Sequence, residues 1–491
     1  MAEVKVQQGV LRGRHDDGVF AFLGVPYAAA PFGARRMQAP VPPAAWDGVR
    51  EALEFGPTAP APPYPSPLDT VLYEPVIDGD DCLNLNVWTP ETGAGGLPVF
   101  VWIHGGGFTN GSGGVVNGSA FARGGVVCVT INYRLGVDGF LFTGQGPVNL
   151  GLLDQVAALE WVQDNIAAFG GDPGKVTIGG ESAGAMSVTT LMAMPKARGL
   201  FRRVVAQSGA GHHALSPATA ARVAGYLAED LGVEATHEAL GRVPLDQLIA
   251  AHSALAAETQ TDPDPQRWGE ILQNLMVFEP VIDGAVLPRL PIEELRAGAS
   301  STVDLLIGTN AEEFGLFLVP SGAWGFVDDA MVDGAAAAYG LPAAALDAYR
   351  KNRPGAPPAA VLNAVGTDFF FRVPAIRAAE ARFDGPGPTY LYEFTWRSPQ
   401  FDGKLGACHA AEIPFVFDDL AWPVYRPLIG ADPPQSVADT MHAAWVRFVT
   451  TGDPGWSPYT AARRSVMRFD VDSGVVDDPR AEERRLWEGV R

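Results

Sequence analysis

Residues 149–184 read NLGLLDQVAALEWVQDNIAAFGGDPGKVTIGGESAG, and the fold class turns on this stretch. Leu152, Val156, Leu159, Val162, Ile166 and Phe169 recur at spacings of three and four, which predicts a helix with one apolar face. Asn149 is placed to cap its start, and Gly170-Gly171 followed by Pro173 ends it. A short strand-forming run, KVTIG, leads directly into Gly180-Glu181-Ser182-Ala183-Gly184, and the apolar segment SVTTLMAM after it can begin a second helix. A serine between glycines at a strand-to-helix turn is presented at the tip of a sharp bend, where its hydroxyl is exposed and helix N–H groups face developing negative charge.

The flanking sequence has the same alternation. Val99–Ile103, Val126–Ile131, Val176–Ile178, Val204–Ala206 and Leu305–Ile307 are short apolar runs without a polar face, separated by helical segments. Strands buried on both faces and alternating with helices predict an α/β fold whose large, mostly parallel central sheet carries helices on both sides. Residues 3–27 instead alternate apolar and polar around Asp17-Gly18, a hairpin-turn dipeptide, and predict small antiparallel strands at the N-terminus. The proline-rich stretches 59–67 and 353–358 read as surface loops, and no internal repeat is present. A single catalytic domain over residues 1–491, with insertions, is expected.

Composition narrows the function. Of 491 residues 47% are hydrophobic and 19% charged, enough for a large core, and the net charge of -21 argues against nucleic acid or an anionic membrane as partner. Cys82, Cys128 and Cys408 have no paired spacing, so neither a disulfide framework nor a zinc site is expected. With no basic start and apolar run at the N-terminus, and no stretch near the roughly 18 apolar residues of a bilayer span, the expectation is a cytoplasmic enzyme.

G-x-S-x-G alone is a weak signal, since a glycine-rich turn can hold an incidental serine. The run His104-Gly105-Gly106-Gly107-Phe108 strengthens it. Glycines after a buried strand leave backbone N–H groups uncovered, as an oxyanion hole requires, and no phosphate-cradling pattern is present.

With these motifs the sequence resembles the type B carboxylesterase family, which includes cholinesterases and bacterial para-nitrobenzyl esterases. FLGVPYAAAPFGARRMQAP, DDCLNLNVWTP, VFVWIHGGGF, INYRLG, FEPVIDGAVLP, GTNAEEFGLF and GACHAAEIPFVF match in the family's order, from about residue 22 to 418. The resemblance implies the α/β-hydrolase fold, with helical insertions around an active-site gorge, and no metal or cofactor. It implies Ser182 as nucleophile, Glu313 as acid and His409 as base. Phe314 stands where the family usually has glycine, which leaves Glu312 as the alternative acid. The oxyanion hole maps to the N–H groups of Gly106, Gly107 and Ala183, and Ser208 to a buried serine supporting the acid and histidine. Glu181, His212 and His213 are further supporting or pocket candidates, and Arg36 and Asp81 map to a structural ion pair.

The family's choline platform is a tryptophan before the EDCL-like segment. This chain has none between Trp46 and Trp88, and Cys82 has no earlier cysteine partner. Small to medium neutral esters are therefore the expected substrates, and a monomer or weak homodimer is the expected state. The competing readings are a catalytically silent binding module and a serine peptidase or amidase of the same fold.

Overall fold

Asp17 and Gly18 both take positive φ, 50° and 77°, as a two-residue type I′ turn requires, and Asp16 pairs with Val19 across it. The computed structural model describes every residue except Ala94, and the chain packs as two compact units. The first comprises residues 1–63, 74–204 and 212–300, and the second residues 64–73, 205–211 and 301–491.

The first unit contains strands β1 (Ala2–Val6), β2 (Gly9–Asp16), β3 (Val19–Pro26), β4 (Val49–Glu51), β5 (Asn84–Thr89), β6 (Leu97–Ile103), β7 (Val127–Ile131) and β8 (Gly171–Glu181). Their order is β1-β2-β3-β5-β7-β6-β8, with β4 on β2. The pairs from β1 through β5 to β7 are antiparallel, whereas β6 runs parallel to both β7 and β8. All five residues of β7 and Val99–Ile103 of β6 are buried, because helices cover both faces of a parallel strand.

The predicted helix forms over Leu150–Asn165 and continues as a 3-10 turn to Phe169, before Gly170 turns the chain at φ 82°. It differs from the expectation in two ways. Asp154 and Gln155 are fully buried, so the helix is enclosed nearly all round rather than on one face. Arg134 makes this possible by donating from Nε and Nη2 to the two Asp154 oxygens at 2.8 and 2.7 Å, while Gln155 donates to Ser187 at 3.0 Å. Asn149 occupies the cap position but its side chain does not cap; it exchanges hydrogen bonds with the backbone of Val281 at 2.9 and 2.8 Å.

The expected Arg36–Asp81 ion pair is not formed. Arg36 donates to Asp138 at 3.1 Å and to the carbonyls of Val243 and Gly241 at 2.6 and 3.2 Å, whereas Asp81 pairs with Arg50 at 3.2 Å. The guanidinium is largely buried and takes a carboxylate that is also mostly covered; Asp81 lies in the solvent-exposed class of pair, where little is gained.

The chain passes from the first unit to the second within β9 (Arg203–Gln207). In the second unit the order continues β9, β10 (Asp304–Asn310), β11 (Thr389–Phe394), β12 (Ser465–Phe469), β13 (Gly474–Asp477). β10, β11 and β12 are mutually parallel, and β13 closes the edge antiparallel. A long helix, Pro358–Glu380, widens to a π turn at Asp368–Arg372. It meets the length and hydropathy of a bilayer span, contrary to the sequence expectation, but 89% of its apolar window is buried in the protein. Phe369 and Phe370 from the π turn pack with Phe314, Tyr349, Val365 and Trp487 in this unit's core.

Candidate active site

In the first unit, β6 ends at Ile103 and the glycine run turns back on itself. Gly106 and Gly107 take φ 102° and 60°, and the Gly106 carbonyl accepts from Thr109 and Asn110 N–H at 3.0 and 2.9 Å. A Cβ on Gly106 would stand 2.2 Å from the Asn110 carbonyl oxygen, so only glycine fits. Phe108 follows at φ 58° with its ring fully buried against Phe140. Glu74 holds the far end of the loop, accepting from Gly111 N–H at 2.7 Å and from Asn110 Nδ2 at 3.0 Å. Burial pushes the Glu74 carboxyl up from its usual range, and these donors oppose the shift.

His104 is a strut of this loop. Its ring stacks on Tyr133 at 4.5 Å, Nδ1 lies 2.9 Å from the Gly105 carbonyl, and Tyr133 Oη donates to the His104 carbonyl at 3.0 Å. Complete burial lowers the imidazole to about 4, so it is neutral at pH 7 and donates from Nδ1.

β8 delivers Ser182 into the elbow. Ser182 has φ 55° and ψ -123°, outside the left-handed helical well, and the helix Ala183–Ala193 begins at the next residue. The flanking glycines are dictated by backbone contact. A Cβ on Gly180 would lie 2.5 Å from the Gly184 carbonyl carbon, and one on Gly184 only 2.0 Å from the Ile103 carbonyl oxygen. Gly105 is close to Ser182, since a Cβ there would stand 3.0 Å from Ser182 Cβ. The glycine run and the elbow thus meet. Gly106, Gly107 and Ala183 donate their N–H to no protein group among the described residues. Glu181 is buried beside Gly105.

The second unit brings Glu313 and His409 together. Beyond β10, Glu313 is fully buried; its Oε1 accepts from Asn310 N–H at 2.7 Å and its Oε2 lies 2.7 Å from His409 Nδ1. With a carboxylate on Nδ1 the proton sits there, leaving Nε2 as the basic nitrogen. His409 N–H donates in turn to the Glu313 carbonyl at 3.2 Å, and the imidazole is flanked by Phe371 at 4.7 Å and Phe317 at 5.6 Å. Glu312 turns the other way, accepting from Ala407 N–H at 3.0 Å and pairing with Arg397. Phe314, at the position where a glycine was expected, lies in the core against Phe370, and Gly366 makes room for its ring. The glycine requirement moves to Gly315, where a Cβ would meet the Leu405 carbonyl oxygen at 2.4 Å.

Ser208 is buried at φ 52° with its N–H on the Gly308 carbonyl at 2.8 Å; its hydroxyl has no partner among the described residues, so it bonds to neither Glu313 nor His409. His213 is buried and His212 half-buried in the turn after it. Sequence reasoning missed Glu74 and Asn310, because each acts through backbone groups that no spacing advertises. Among the described residues no cluster of three His, Cys, Asp or Glu could hold a metal ion.

Comparison with known proteins shows the family and the fold. The family model described as the carboxylesterase family matches residues 1–487. The chain is 36% identical to the para-nitrobenzyl esterase of Bacillus subtilis, over 98% of this chain and 97% of that protein. It is 39% identical to the phenmedipham hydrolase of Pseudarthrobacter oxydans, over 91% and 89%. A solved carboxylesterase of Geobacillus stearothermophilus superposes with a TM-score of 0.86 at 39% identity, covering 99% of both chains, and the fold is the α/β-hydrolase fold.

Proposed function

The chain belongs to the carboxylesterase family, and from its being a carboxylic ester hydrolase we propose a serine mechanism acting on small to medium, neutral esters. The observation that carries this reading is the backbone of Ser182, φ 55° and ψ -123°, a conformation serine adopts at a cost of about 1–3 kcal/mol. A turn without chemical duty would carry glycine there.

In this mechanism His409 Nε2 takes the Ser182 proton as Oγ attacks the ester carbonyl. The oxyanion is received by the N–H groups of Gly106, Gly107 and Ala183, and His409 then protonates the leaving alcohol. Water, deprotonated by His409, releases the acid from the acyl-enzyme. Glu313 holds Nδ1–H and stabilises the imidazolium. The 2.7 Å Glu313–His409 contact and the free N–H donors of the glycine run support these roles.

The substrate class rests on what the entrance sequence lacks. No tryptophan stands between Trp46 and Trp88 to face a quaternary ammonium, which favours neutral alcohols over choline. Three buried free cysteines fit a reducing compartment, and we place the enzyme in the cytoplasm, as a monomer or weak homodimer, on that basis. Ser182→Ala is expected to melt like the wild type and to lose hydrolysis of para-nitrophenyl acetate to near background. Substantial surviving turnover would refute the nucleophile assignment.

A further inference from the structure

Asn110 and Gly111 close the glycine loop from its far side, and each restrains one of its peptide planes. The Gly105 carbonyl and the Gly106 N–H belong to one plane. Gly111 packs on that carbonyl: a Cβ on Gly111 would stand 2.6 Å from the Gly105 oxygen and 2.5 Å from His104 Nδ1. The Gly106 carbonyl and the Gly107 N–H share the next plane, and Asn110 N–H donates to that carbonyl at 2.9 Å. The positions of residues 110 and 111 therefore set where the Gly106 and Gly107 N–H groups point.

Among the described residues, the hydrogen bonds tying Asn110 and Gly111 to groups outside the loop go to Glu74 and Pro62. Glu74 Oε1 accepts from Gly111 N–H at 2.7 Å, and Asn110 Nδ2 lies 3.2 and 3.0 Å from the two carboxylate oxygens. Asn110 Nδ2 also donates to the Pro62 carbonyl at 2.5 Å, so a reversed amide would set its oxygen against acceptors. Glu74 is half-buried and lies in no helix or strand. Its segment is pinned three residues on, where Thr58 N–H donates to the Ile77 carbonyl at 3.0 Å and Ile77 N–H to Thr58 Oγ1 at 3.2 Å. We propose that the Glu74 carboxylate is a positioning residue for ester hydrolysis, which through Asn110 and Gly111 aims the Gly106 and Gly107 N–H groups at the oxyanion. The proposal rests on the serine-esterase reading above.

A neutral group of the same shape cannot hold both residues. Glutamine, or Glu74 once protonated, keeps an acceptor for Gly111 N–H but turns a donor towards Asn110 Nδ2. Turnover should therefore follow the ionisation of Glu74. Burial pushes that carboxyl up from its usual range, which brings its protonation closer to neutral pH. Pro62, Asn110 and Gly111 around it are uncharged. His104, on the other side of Gly111, is the titratable group facing this junction, and burial holds it neutral down to about 4.

The test compares wild type and Glu74→Gln on para-nitrophenyl acetate from about pH 8 to 5, with thermal melts and Ser182→Ala alongside. At the alkaline end Glu74→Gln is expected to lower kcat by roughly 10-fold, the scale of donors displaced rather than removed, with KM changed less than about threefold. As pH falls the ratio of wild type to variant should close towards one, because protonated Glu74 presents Asn110 with the same donor that glutamine does. A purely structural staple would leave that ratio flat. The affinity of an aryl trifluoromethyl ketone, which adds to serine as a tetrahedral oxyanion, should fall in step with kcat/KM. Should Glu74→Gln fail to fold, Asn110→Ala removes the amide that Glu74 grips and is expected to lower kcat by about threefold to tenfold. Wild-type kcat in the variant that folds, a Glu74→Gln ratio that stays constant across the pH range, or unchanged ketone affinity overturns the proposal alone. Hydrolysis that survives Ser182→Ala would instead overturn the serine reading and this proposal with it.

Discussion

Gly184 lies in the first turn of the Ala183–Ala193 helix, where helix propensity alone favours alanine over glycine by about 1 kcal/mol. The structure predicts the opposite outcome for Gly184→Ala. The added Cβ would stand 2.0 Å from the Ile103 carbonyl oxygen and 2.9 Å from both the Ile103 carbonyl carbon and the His104 carbonyl oxygen, against an ordinary contact that begins near 3.4 Å. Relief needs a movement of about 1.4 Å. All three atoms are backbone, and Ile103 is held in β6 between β7 and β8, so the helix start must move instead. Overpacking on this scale costs about 3 kcal/mol or more, so a net loss of about 2 kcal/mol is expected after the propensity gain. The same movement carries the Ala183 N–H off the oxyanion position, for roughly a 100-fold fall in kcat. Gly225 provides the control. It lies inside the helix Pro217–Leu231 with nothing within 4 Å of where a Cβ would go, and Gly225→Ala should stabilise by about 0.5–1 kcal/mol with unchanged activity. Urea melts and para-nitrophenyl acetate turnover read both variants. A Gly184→Ala protein as stable and active as Gly225→Ala would refute the packing argument.

Two further outcomes concern the ionisable groups buried in the first unit. Arg134→Ala strands Asp154, whose carboxylate is fully buried, and should cost about 3–5 kcal/mol in urea melts; Arg134→Met with Asp154→Leu should recover most of that loss. His104 and His252 are both lowered to about 4 by burial, from 6.5, so the folded state binds fewer protons than the unfolded chain between those values and stability falls as pH drops from about 6.5 towards 4. Each contributes up to about 3 kcal/mol across that window, and His252→Phe should flatten the slope of melting temperature against pH.

Much of the site was legible because its chemistry imposes local sequence constraints. The glycines at 180, 184 and 106 are there because backbone lies 2.0 to 2.6 Å from where a Cβ would go, and such positions print directly into the sequence. The parallel strands β6 and β7 were equally clear, since burial on both faces removes polar residues from the run. β5, β11 and β12 were not identified as strands: Asn84, Asn86, Glu393 and Arg468 interrupt their apolar pattern, and Asn86 and Arg468 find side-chain partners far along the chain, in Thr130 and Glu393. The Arg36–Asp81 pairing failed for the same reason. A guanidinium chooses among carboxylates by burial and reach, which spacing does not encode, and Asp138 was the nearer and less exposed one.

Strain in the backbone distinguishes the residues that act from those that support. Phe108 and Ser182 both hold positive φ, at a cost of about 1–3 kcal/mol each, where glycine would sit without strain. At Phe108 the compensation is visible in packing: the ring is fully buried against Phe140, and the carbonyl accepts from Gly136 N–H at 2.7 Å. Ser182 has no such return. Its side chain is small and half-buried, its carbonyl bond to Met186 N–H would survive substitution by glycine, and neighbouring Gly180 and Gly184 show that the bend tolerates glycine on both sides. Serine stands at a point of the turn where glycine would carry no strain. That combination separates a nucleophile from an incidental turn serine more sharply than the five-residue pattern can, because the pattern is satisfied by either.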